Sequence, residues 1–429
     1  MSDDDSAASS LYPNRGRQSR KPGVSRRRLL SGSMAVGAAA TAGCTGSSSA
    51  PAQSEADAER ETIFVFNTGD KTVSVIDAED DEVVATPHLG ATSSFPSNQF
   101  TPRLTDAPDD PLWLNVGRGV RAFAVGSLSE VASVETGSGA NWQELTPDGN
   151  HLVVSAREPA HAQYRIDADP SSASFGEVTA ELDRRDEDGR GGRNGPGPCD
   201  VTMHSDGDYA YVPDLFGDTL SVLDIDAFEI VTQVPVEPSA NANTARPWMA
   251  TAGWDGEVML VENNEEGGGS ESIWDVSDPT APTERVRLTG DDGLGRRPLT
   301  SEIGPGSEVG YVFTPGSNDI SVIDLGEGVI TDRLDLGGSA FAGTWGPSRE
   351  RLYVSVQTND EVKVVDHASR SVAATIPVGA KPYGATAARV RPEEDAAANL
   401  LGTLSALGVE LSDEGTTYCI GNCACGHQL

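Results

Sequence analysis

The sequence predicts an all-β fold assembled from seven copies of one unit. Seven short strands end in an aspartate, or at the equivalent position, at residues 77, 126, 167, 224, 275, 324 and 366. The steps between these positions run from 41 to 57 residues, which is typical of a propeller or a strand array. The clearest copies are Thr72–Asp77, Thr219–Asp224, Asp319–Asp324 and Glu361–Asp366; those ending at Asp167 and Asp275 are weaker, and the one near Gly126 is degenerate.

Each unit is predicted to contain four strands. An apolar run such as Leu352–Ser355 precedes the aspartate-ended strand, and a strand rich in Val, Ile and Thr, such as Val329–Leu336, follows it. The earliest strand, as in Pro247–Gly256, closes with Asp-Gly, which favours a hairpin because both residues tolerate positive φ. We expect the strand-ending aspartate to accept hydrogen bonds from the next turn's amides. Because a lone four-stranded sheet cannot bury both faces, the units predict a seven-bladed β-propeller of four-stranded antiparallel blades.

The two ends of the repeat region predict how the ring closes. The first unit lacks an inner strand, since its sequence begins directly with the apolar run Ile63–Phe66. A spare strand of the inner type, residues 382–390, follows the last unit, so we expect it to join blade one and close the ring. The propeller is therefore assigned to residues 61–392, and residues 393–429 form a helix followed by a Cys/His-rich tail.

The N-terminal residues read as a targeting segment. An apolar run that ends at Ala42 is too short to span a bilayer and suits a signal peptide covering residues 1–43. Arg26 and Arg27 before it resemble a twin-arginine export signal, and Thr41–Cys44 resembles a lipobox in which Cys44 is lipidated. A flexible tether, 44–60, follows. The expected location is extracytoplasmic, at the cell membrane surface, with membrane contact through the lipid anchor only.

The charge balance limits the partners. Asp and Glu number 66 against 31 Lys and Arg, for a net charge of -35, and only four lysines occur. Because phosphate backbones require a basic face, nucleic acid is excluded as a general partner. This acidic, lysine-poor composition resembles that of proteins from extreme halophiles, haloarchaea among them; an ordinary acidic secreted protein is the alternative.

The amino-acid sequences of the later repeats resemble those of a known family. Residues 311–324 (YVFTPGSNDISVID) and 352–366 (LYVSVQTNDEVKVVD), the latter continuing to Gly384, are similar to the YVTN family of seven-bladed propellers. The resemblance covers roughly residues 61–392 and implies a surface or periplasmic propeller. The family includes binding modules, adhesive domains and redox enzymes, so the resemblance implies a fold and leaves the function open.

The loops that lead into the inner strands carry an unusual share of positive charge. Of the 24 basic residues beyond residue 43, eight lie on these loops. Arginine forks suit carboxylate, sulfate or phosphate, so we hypothesise a funnel at the channel mouth that binds a small anion. The candidate ligand-binding residues are Arg193, Arg246, Arg297 and Lys381, with the aromatic residues Trp142, Trp248 and Tyr383. The alternative is that nearby acidic residues pair with the arginines and that the aromatic rings pack between blades.

The C-terminal tail contains a cluster of cysteine and histidine residues. Cys419, Cys423, Cys425 and His427 place three thiols and an imidazole within nine residues, which suffices for a zinc or copper site. The spacing of Cys419, Cys423 and His427 resembles part of the copper motif of nitrous oxide reductase, although the downstream methionine is missing and the tail is too short for a cupredoxin domain. A disulfide from Cys419 to Cys423 or Cys425 is the alternative, and an unstructured reactive tail is the third.

No catalytic residue is assigned from the sequence. It contains no Cys-x-x-Cys-His haem attachment motif, no nucleophile elbow and no phosphate-binding glycine loop in the required context. The sequence therefore favours a lipid-anchored, non-catalytic propeller that binds a small anion or a protein partner at its channel face. The alternative is a redox or metal-handling protein, with copper or a haem d1-like cofactor, associated with a respiratory or denitrification chain.

Overall fold

Seven antiparallel sheets follow one another along the chain and form a ring. The computed structural model describes residues 60–90, 93, 96, 99–138, 140–190 and 193–393. The inner strands of successive sheets contact one another, and the last strand contacts both the seventh sheet and the first. The prediction of a closed seven-bladed propeller is confirmed. Within the described residues, no helix has the length and apolarity needed to cross a bilayer.

The described residues contain 29 strands, numbered in chain order, and all but β11 and β12 belong to the blades. Blade one contains β1 (Thr62–Asn67), β2 (Thr72–Asp77) and β3 (Glu82–Ala85), and blade two contains β4 (Pro111–Val116), β5 (Gly119–Ala124) and β6 (Glu130–Glu135). Blade three contains β7 (Ala140–Leu145), β8 (His151–Ala156), β9 (Ala162–Asp167) and β10 (Val178–Asp183). A small hairpin, β11 (Asp188–Gly189) and β12 (Arg193–Asn194), precedes blade four, which contains β13 (Thr202–Met203), β14 (Tyr209–Asp214), β15 (Thr219–Asp224) and β16 (Glu229–Pro235).

The remaining blades repeat the same order from the axis outward. Blade five contains β17 (Pro247–Ala252), β18 (Val258–Asn263), β19 (Ser270–Asp275) and β20 (Thr283–Leu288). Blade six contains β21 (Thr300–Ile303), β22 (Val309–Thr314), β23 (Asp319–Asp324) and β24 (Val329–Asp335). Blade seven contains β25 (Ala340–Trp345), β26 (Arg351–Val356), β27 (Glu361–Asp366) and β28 (Ser371–Pro377), and β29 (Pro382–Ala388) follows. Helical elements of the described part of the chain include α1 (Thr101–Leu104) and the 3₁₀ turns Gly290–Asp292 and Gln357–Asn359.

Ring closure occurs where the sequence predicts it. Strand β29 pairs antiparallel with β1, and Ala387 lies opposite Ile63. Beyond the two ends of this pairing, the Arg60 amide donates to the Arg389 carbonyl (2.8 Å) and the Thr68 amide to the Lys381 carbonyl (3.0 Å). The C-terminal strand thus occupies the innermost position of blade one, and β1 has no exposed edge at which another chain could pair.

The strand-ending aspartates stop the strands as predicted. The carboxylate of Asp77 accepts a hydrogen bond from the Glu79 amide (3.0 Å), and that of Asp224 accepts one from the Ala227 amide (2.7 Å). Four further blades have an equivalent bond, which comes from the amide two residues on at Asp167 and Asp275 and from the amide three residues on at Asp324 and Asp366. An Asx-type bond of this kind redirects the backbone, which ends each strand at a fixed length.

The core lies between neighbouring blades, because alternate side chains of a strand point to opposite faces. On β18, Val258 and Leu260 pack towards blade six, whereas Met259 and Val261 pack towards blade four. Each of these side chains is at most 4% exposed. Burial of one such side chain contributes about 1.5–3 kcal/mol. Each blade is therefore held mainly by its two neighbours.

Blade two differs from the others at the channel axis. Its described strands number three, and Pro96 forms an isolated bridge with Leu114 on the inner side of β4. The side chain of Gln99 then reaches across the channel, where its Nε2 donates to the Ala252 carbonyl of blade five (2.9 Å). Its Oε1 accepts from the hydroxyl of Thr202 in blade four (3.3 Å). The segment that leads into α1 therefore lies across one end of the channel.

Candidate functional site at the channel mouth

The upper face of the propeller is defined here by the loops that enter the inner strands. In four of these loops the last residue has positive φ and precedes a proline: Gly197 (71°), Arg246 (54°), Arg297 (60°) and Lys381 (51°). Left-handed backbone is costly for residues other than glycine, so the surrounding structure must hold it. Because the blades repeat around the axis, the same backbone places Arg246, Arg297 and Lys381 at equivalent positions on the rim.

Hydrogen bonds to the preceding blade hold these residues. The Arg246 amide donates to Oδ1 of Asp218 (2.8 Å), and the Lys381 amide donates to Oδ1 of Asp360 (2.7 Å). The Arg297 amide donates to the Gly268 carbonyl (2.6 Å). Two rim carboxylates thus bind backbone amides at the same loops that present cationic side chains.

Two rim cations have no ionic partner within the described residues. The side chains of Arg297 and Lys381 are exposed and form no ion pair with a carboxylate in this part of the chain. Arg246 is partly exposed on the neighbouring blade. Arg193 lies in the short strand β12, at the entry to blade four. The rim therefore presents positive charge in a chain whose net charge is -35.

The other arginines of the upper face are paired with acidic residues. Arg184 is buried and donates to the carboxylates of Glu187 (2.7 Å) and Asp214 (2.8 Å). Arg185 pairs with Asp183 and lowers the pKa of that carboxyl to about 2. Arg190 pairs with Asp218. The alternative, in which nearby acidic residues pair with the arginines, thus holds for these three arginines. It does not extend to the exposed rim cations Arg297 and Lys381.

The predicted aromatic residues form a closed floor below the rim. Trp248 and Tyr383 are 1% and 0% exposed and pack in one apolar cluster with Phe341 and Leu299. The Phe341 and Tyr383 rings are stacked, with centroids 5.0 Å apart and planes inclined by 14°. Trp142 is partly buried against the same cluster. These rings close the upper end of the channel, so the accessible surface is a shallow rim above an apolar plug.

A cleft of about 600 Å³ lies beside the rim, between blades three and four. Its walls carry more acidic than basic side chains; they are Glu158, Pro159, His161, Asp183, Arg185, Asp186, Asn194 and Phe216. Nδ1 of His161 accepts a hydrogen bond from the Gly197 amide (3.2 Å), which fixes the ring. Sequence reasoning missed this cleft because its walls come from two blades. Its charge does not suit an anion.

Acidic side chains line the channel below the plug. Glu144 is buried on β7, and burial raises its pKa well above the usual range, with further contributions from Asp200 and Glu302. Asp200 accepts a hydrogen bond from the Ala250 amide (2.7 Å). Within the described residues, no set of three or more His, Cys, Asp or Glu side chains is arranged to hold a metal ion. Sequence reasoning missed these acids, since their strands read as ordinary inner strands.

The remaining predicted sites lie outside the described residues. These are the export signal at Arg26 and Arg27, the lipidation site Cys44, and the tail group Cys419, Cys423, Cys425 and His427. The disulfide and metal hypotheses for the tail therefore stay predictions.

Comparison with known proteins supports the fold. No family model matches the chain, and no curated protein sequence matches it. Among solved structures, the chain is similar to a periplasmic gluconolactonase of Pseudomonas aeruginosa, with 16% identity and a TM-score of 0.59 over 76% of this chain and 98% of that one. It is also similar to Kuenenia stuttgartiensis hydrazine synthase, with 14% identity and a TM-score of 0.57 over 76% and 99%. A candidate 6-phosphogluconolactonase from Bacteroides fragilis matches with 16% identity and a TM-score of 0.59 over 79% and 99%.

Proposed function

We propose that this protein is an extracytoplasmic, lipid-anchored propeller that binds a small organic anion at its upper rim. The observation that supports this proposal is that Arg297 and Lys381 are exposed on equivalent loops and form no ion pair with the described residues. The backbone that presents them is held by hydrogen bonds before a ligand arrives. Because such a site is already ordered, little of the binding free energy is lost to ordering it when a ligand binds.

The chemistry of the rim favours a carboxylate on a compact organic body. Arg246 and Arg297 offer planar forks that match a carboxylate, and Lys381 adds a point charge. A sugar acid fits this description, because its carboxylate would face the cations and its hydroxyl groups would remain hydrated. The names of two structural neighbours, a gluconolactonase and a candidate 6-phosphogluconolactonase, support this ligand class, since hydrolysis of a sugar lactone produces a sugar acid.

Calorimetric titration with gluconate tests the proposal. The protein is folded in concentrated KCl and held at one salt concentration, since salt screens such contacts. We expect the R297Q/K381Q variant to bind gluconate roughly 10- to 100-fold more weakly than wild type, the range expected for loss of charged hydrogen bonds. The matched control is R185Q, because Arg185 lies on the same face and is already paired with Asp183. Equal affinity of wild type and R297Q/K381Q would reject the rim as the site.

Hydrolysis of the lactone is a second candidate, favoured by the same two neighbour names. A pH-stat assay with glucono-δ-lactone distinguishes the two, because hydrolysis releases one proton for each lactone opened. Proton release above the spontaneous rate, lost in R297Q/K381Q, would make the rim part of an enzyme. A rate equal to the spontaneous rate would leave the protein a binding module.

A redox or metal-handling role is the alternative from another class. It rests on the thiols Cys419, Cys423 and Cys425 with His427, and on the fold similarity to a protein named hydrazine synthase. A visible absorption spectrum and metal analysis of protein folded in high salt test it. Absorption above 400 nm, or stoichiometric copper or zinc, would favour this role over anion binding.

The proposed location rests on the N-terminal residues. The name of the periplasmic neighbour supports export, and Arg26, Arg27 and Cys44 supply the signal and the anchor. We expect R26K/R27K to leave the precursor in the cytoplasm. We expect C44S to release the mature protein into the medium or the soluble envelope fraction. Export of R26K/R27K at the wild-type level would exclude the twin-arginine route.

A further inference from the structure

We propose a calcium site inside the propeller, between blades five and six, formed by the carboxylates of Glu262 and Glu271. The two residues lie directly opposite each other on β18 and β19. A single residue pair separates them from the turn 264–269, whose Gly268 carbonyl accepts a hydrogen bond from the Arg297 amide. The pair therefore lies just below the upper face. The site goes beyond the proposed function, since its ligand is a cation and none of its side chains belongs to the rim.

Both carboxylates point towards blade six. Leu260 lies opposite Ile273, and these two side chains pack in one apolar cluster with Val312 and Ile323 of blade six. Glu262 is two residues beyond Leu260, and Glu271 is two residues before Ile273, so both carboxylates share that face of the sheet. Directly opposite residues have their Cβ atoms about 4.5–5.5 Å apart. One ion can therefore contact both carboxylates.

The described residues supply no counter-ion to this pair. All four carboxylate oxygens are without a partner at hydrogen-bonding distance in the described part of the chain, and both side chains are 0% exposed. Arg287 lies opposite Ser272, which faces blade four, and forms its ion pairs with Glu265 and Glu284. An ionised carboxylate that is buried without a partner has a high free energy. The pair therefore needs a proton or a cation to neutralise it.

Blade six presents a further oxygen to the pair. Ile303 belongs to the same apolar cluster, and Ser301 lies two residues before it on β21, so the Ser301 hydroxyl faces blade five. The hydroxyl of Thr251 donates to the Ser301 carbonyl (2.9 Å), which joins β21 to β17 of blade five at this level. Ser301 is 4% exposed, and its hydroxyl has no partner at hydrogen-bonding distance among the described residues. The boundary thus contains five buried oxygens from three strands.

The chemistry of these oxygens suits calcium. Two carboxylates carry two negative charges, which one divalent cation balances. Calcium takes about six to eight oxygen ligands in irregular geometry and accepts bidentate carboxylates, so the two glutamates and Ser301 would supply most of its ligands. Magnesium requires octahedral geometry and keeps several waters, which a closed boundary between blades disfavours. In the ion-free protein, burial raises the pKa of both carboxyls and the pair keeps a proton, which calcium would replace.

Calorimetric titration with calcium chloride and, separately, with magnesium chloride tests the site. The full chain is refolded in a chelator, dialysed and titrated at constant KCl. Wild type should bind one calcium ion per chain more tightly than magnesium, and its urea midpoint should rise with calcium. E262Q/E271Q should bind calcium about tenfold more weakly or worse and should lose the rise in midpoint. Absence of calcium binding in wild type, or a midpoint that calcium does not move, would overturn the proposal, as would tighter binding of magnesium.

A matched double variant separates this site from the acidic surface. Glu257 and Glu327 are exposed on blades five and six, so E257Q/E327Q removes the same formal charge from the same two blades. E257Q/E327Q should bind calcium as wild type does, and an equal loss in both double variants would place the calcium on the surface and overturn the proposal. If E262Q/E271Q fails to fold by circular dichroism, E271Q alone decides. Wild-type calcium affinity in folded E262Q/E271Q or E271Q protein would also overturn the proposal.

Discussion

Glu262 and Glu271 face each other on β18 and β19 of blade five, and both side chains are completely buried. Arg287, whose charge reaches Glu271, forms its ion pairs with Glu265 and Glu284 instead. Burial raises the pKa of Glu262 to about 8. Burial also raises the pKa of Glu271 well above its usual range, and the charge of Glu262 raises it further. The folded protein therefore retains a proton on this pair at neutral pH.

The buried pair predicts a pH dependence of stability. Above its usual pKa of 4.5, the unfolded chain releases a proton that the folded chain keeps, so stability is lost as the pH rises from about 4.5 to about 8. We expect E262Q to remove much of this loss and to be more stable than wild type by roughly 1–3 kcal/mol at pH 8. At pH 4.5 the advantage should disappear. Urea unfolding at a series of pH values measures both.

A matched control distinguishes this effect from the general acidity of the chain. Glu257 is exposed on the same blade, so E257Q removes the same formal charge without removing a buried carboxyl. We expect E257Q to follow the wild-type pH profile. A pH profile of E262Q identical to that of wild type would show that the pair does not hold a proton in the folded state.

Arg184 predicts a large loss of stability on substitution. It is completely buried, and its two terminal nitrogens donate to Asp214 at 2.8 and 2.9 Å, so R184M leaves the buried Asp214 carboxylate without its cation. Removing one partner of a buried pair costs about 3–5 kcal/mol. Urea unfolding measures this loss. The adjacent Arg185 is the control, because it pairs with Asp183 in an exposed position, and R185M should leave the midpoint almost unchanged.

Ring closure predicts opposite outcomes for two truncations. A stop after Ala380 removes β29, which exposes the edge of β1 and the inner side of blade one. An unprotected edge pairs with other chains, so we expect aggregation and a broad thermal transition. A stop after Glu393 keeps β29 and should retain a monomeric, cooperative propeller. Size-exclusion chromatography and circular dichroism measure both, and a cooperative protein ending at Ala380 would contradict the role of β29.

If the protein is exported as proposed, the tail cysteines should form a disulfide. Cys419 and either Cys423 or Cys425 should be linked, because an oxidising compartment favours pairing and the bond between Cys423 and Cys425 would be strained. Mass spectrometry without reduction should detect this linked peptide. Stoichiometric zinc or copper that is lost in the C419S/C423S/C425S variant would support the metal site instead.

The repeat in the sequence contains most of the information about the fold. The strand-ending aspartates and the Asp-Gly turns are local signals, and the structure uses them as hydrogen-bonded stops and hairpins. The spare strand after Pro377 could be predicted to close the ring because blade one lacked an inner strand in the sequence. Such features depend on neighbouring residues and on the number and spacing of the repeats, and both can be read from a sequence.

The rim could be predicted only in part. The sequence placed Arg246, Arg297 and Lys381 on equivalent loops, but it could not separate them from Arg184, which the fold buries against Asp214 thirty positions away. Pairing between residues so far apart depends on how two turns pack against each other, so a local sequence pattern does not predict this pairing.

The sequence by itself determined the number of blades, the order of strands within them and the closure of the ring, because strand length, turn type and repeat spacing are properties of short segments. The tertiary structure decided which charged side chains remain accessible to a ligand. It buried the aromatic plug and enclosed Glu262 with Glu271. The physical reason is that electrostatic free energy and burial depend on distances in space, which the ring sets only once it is closed.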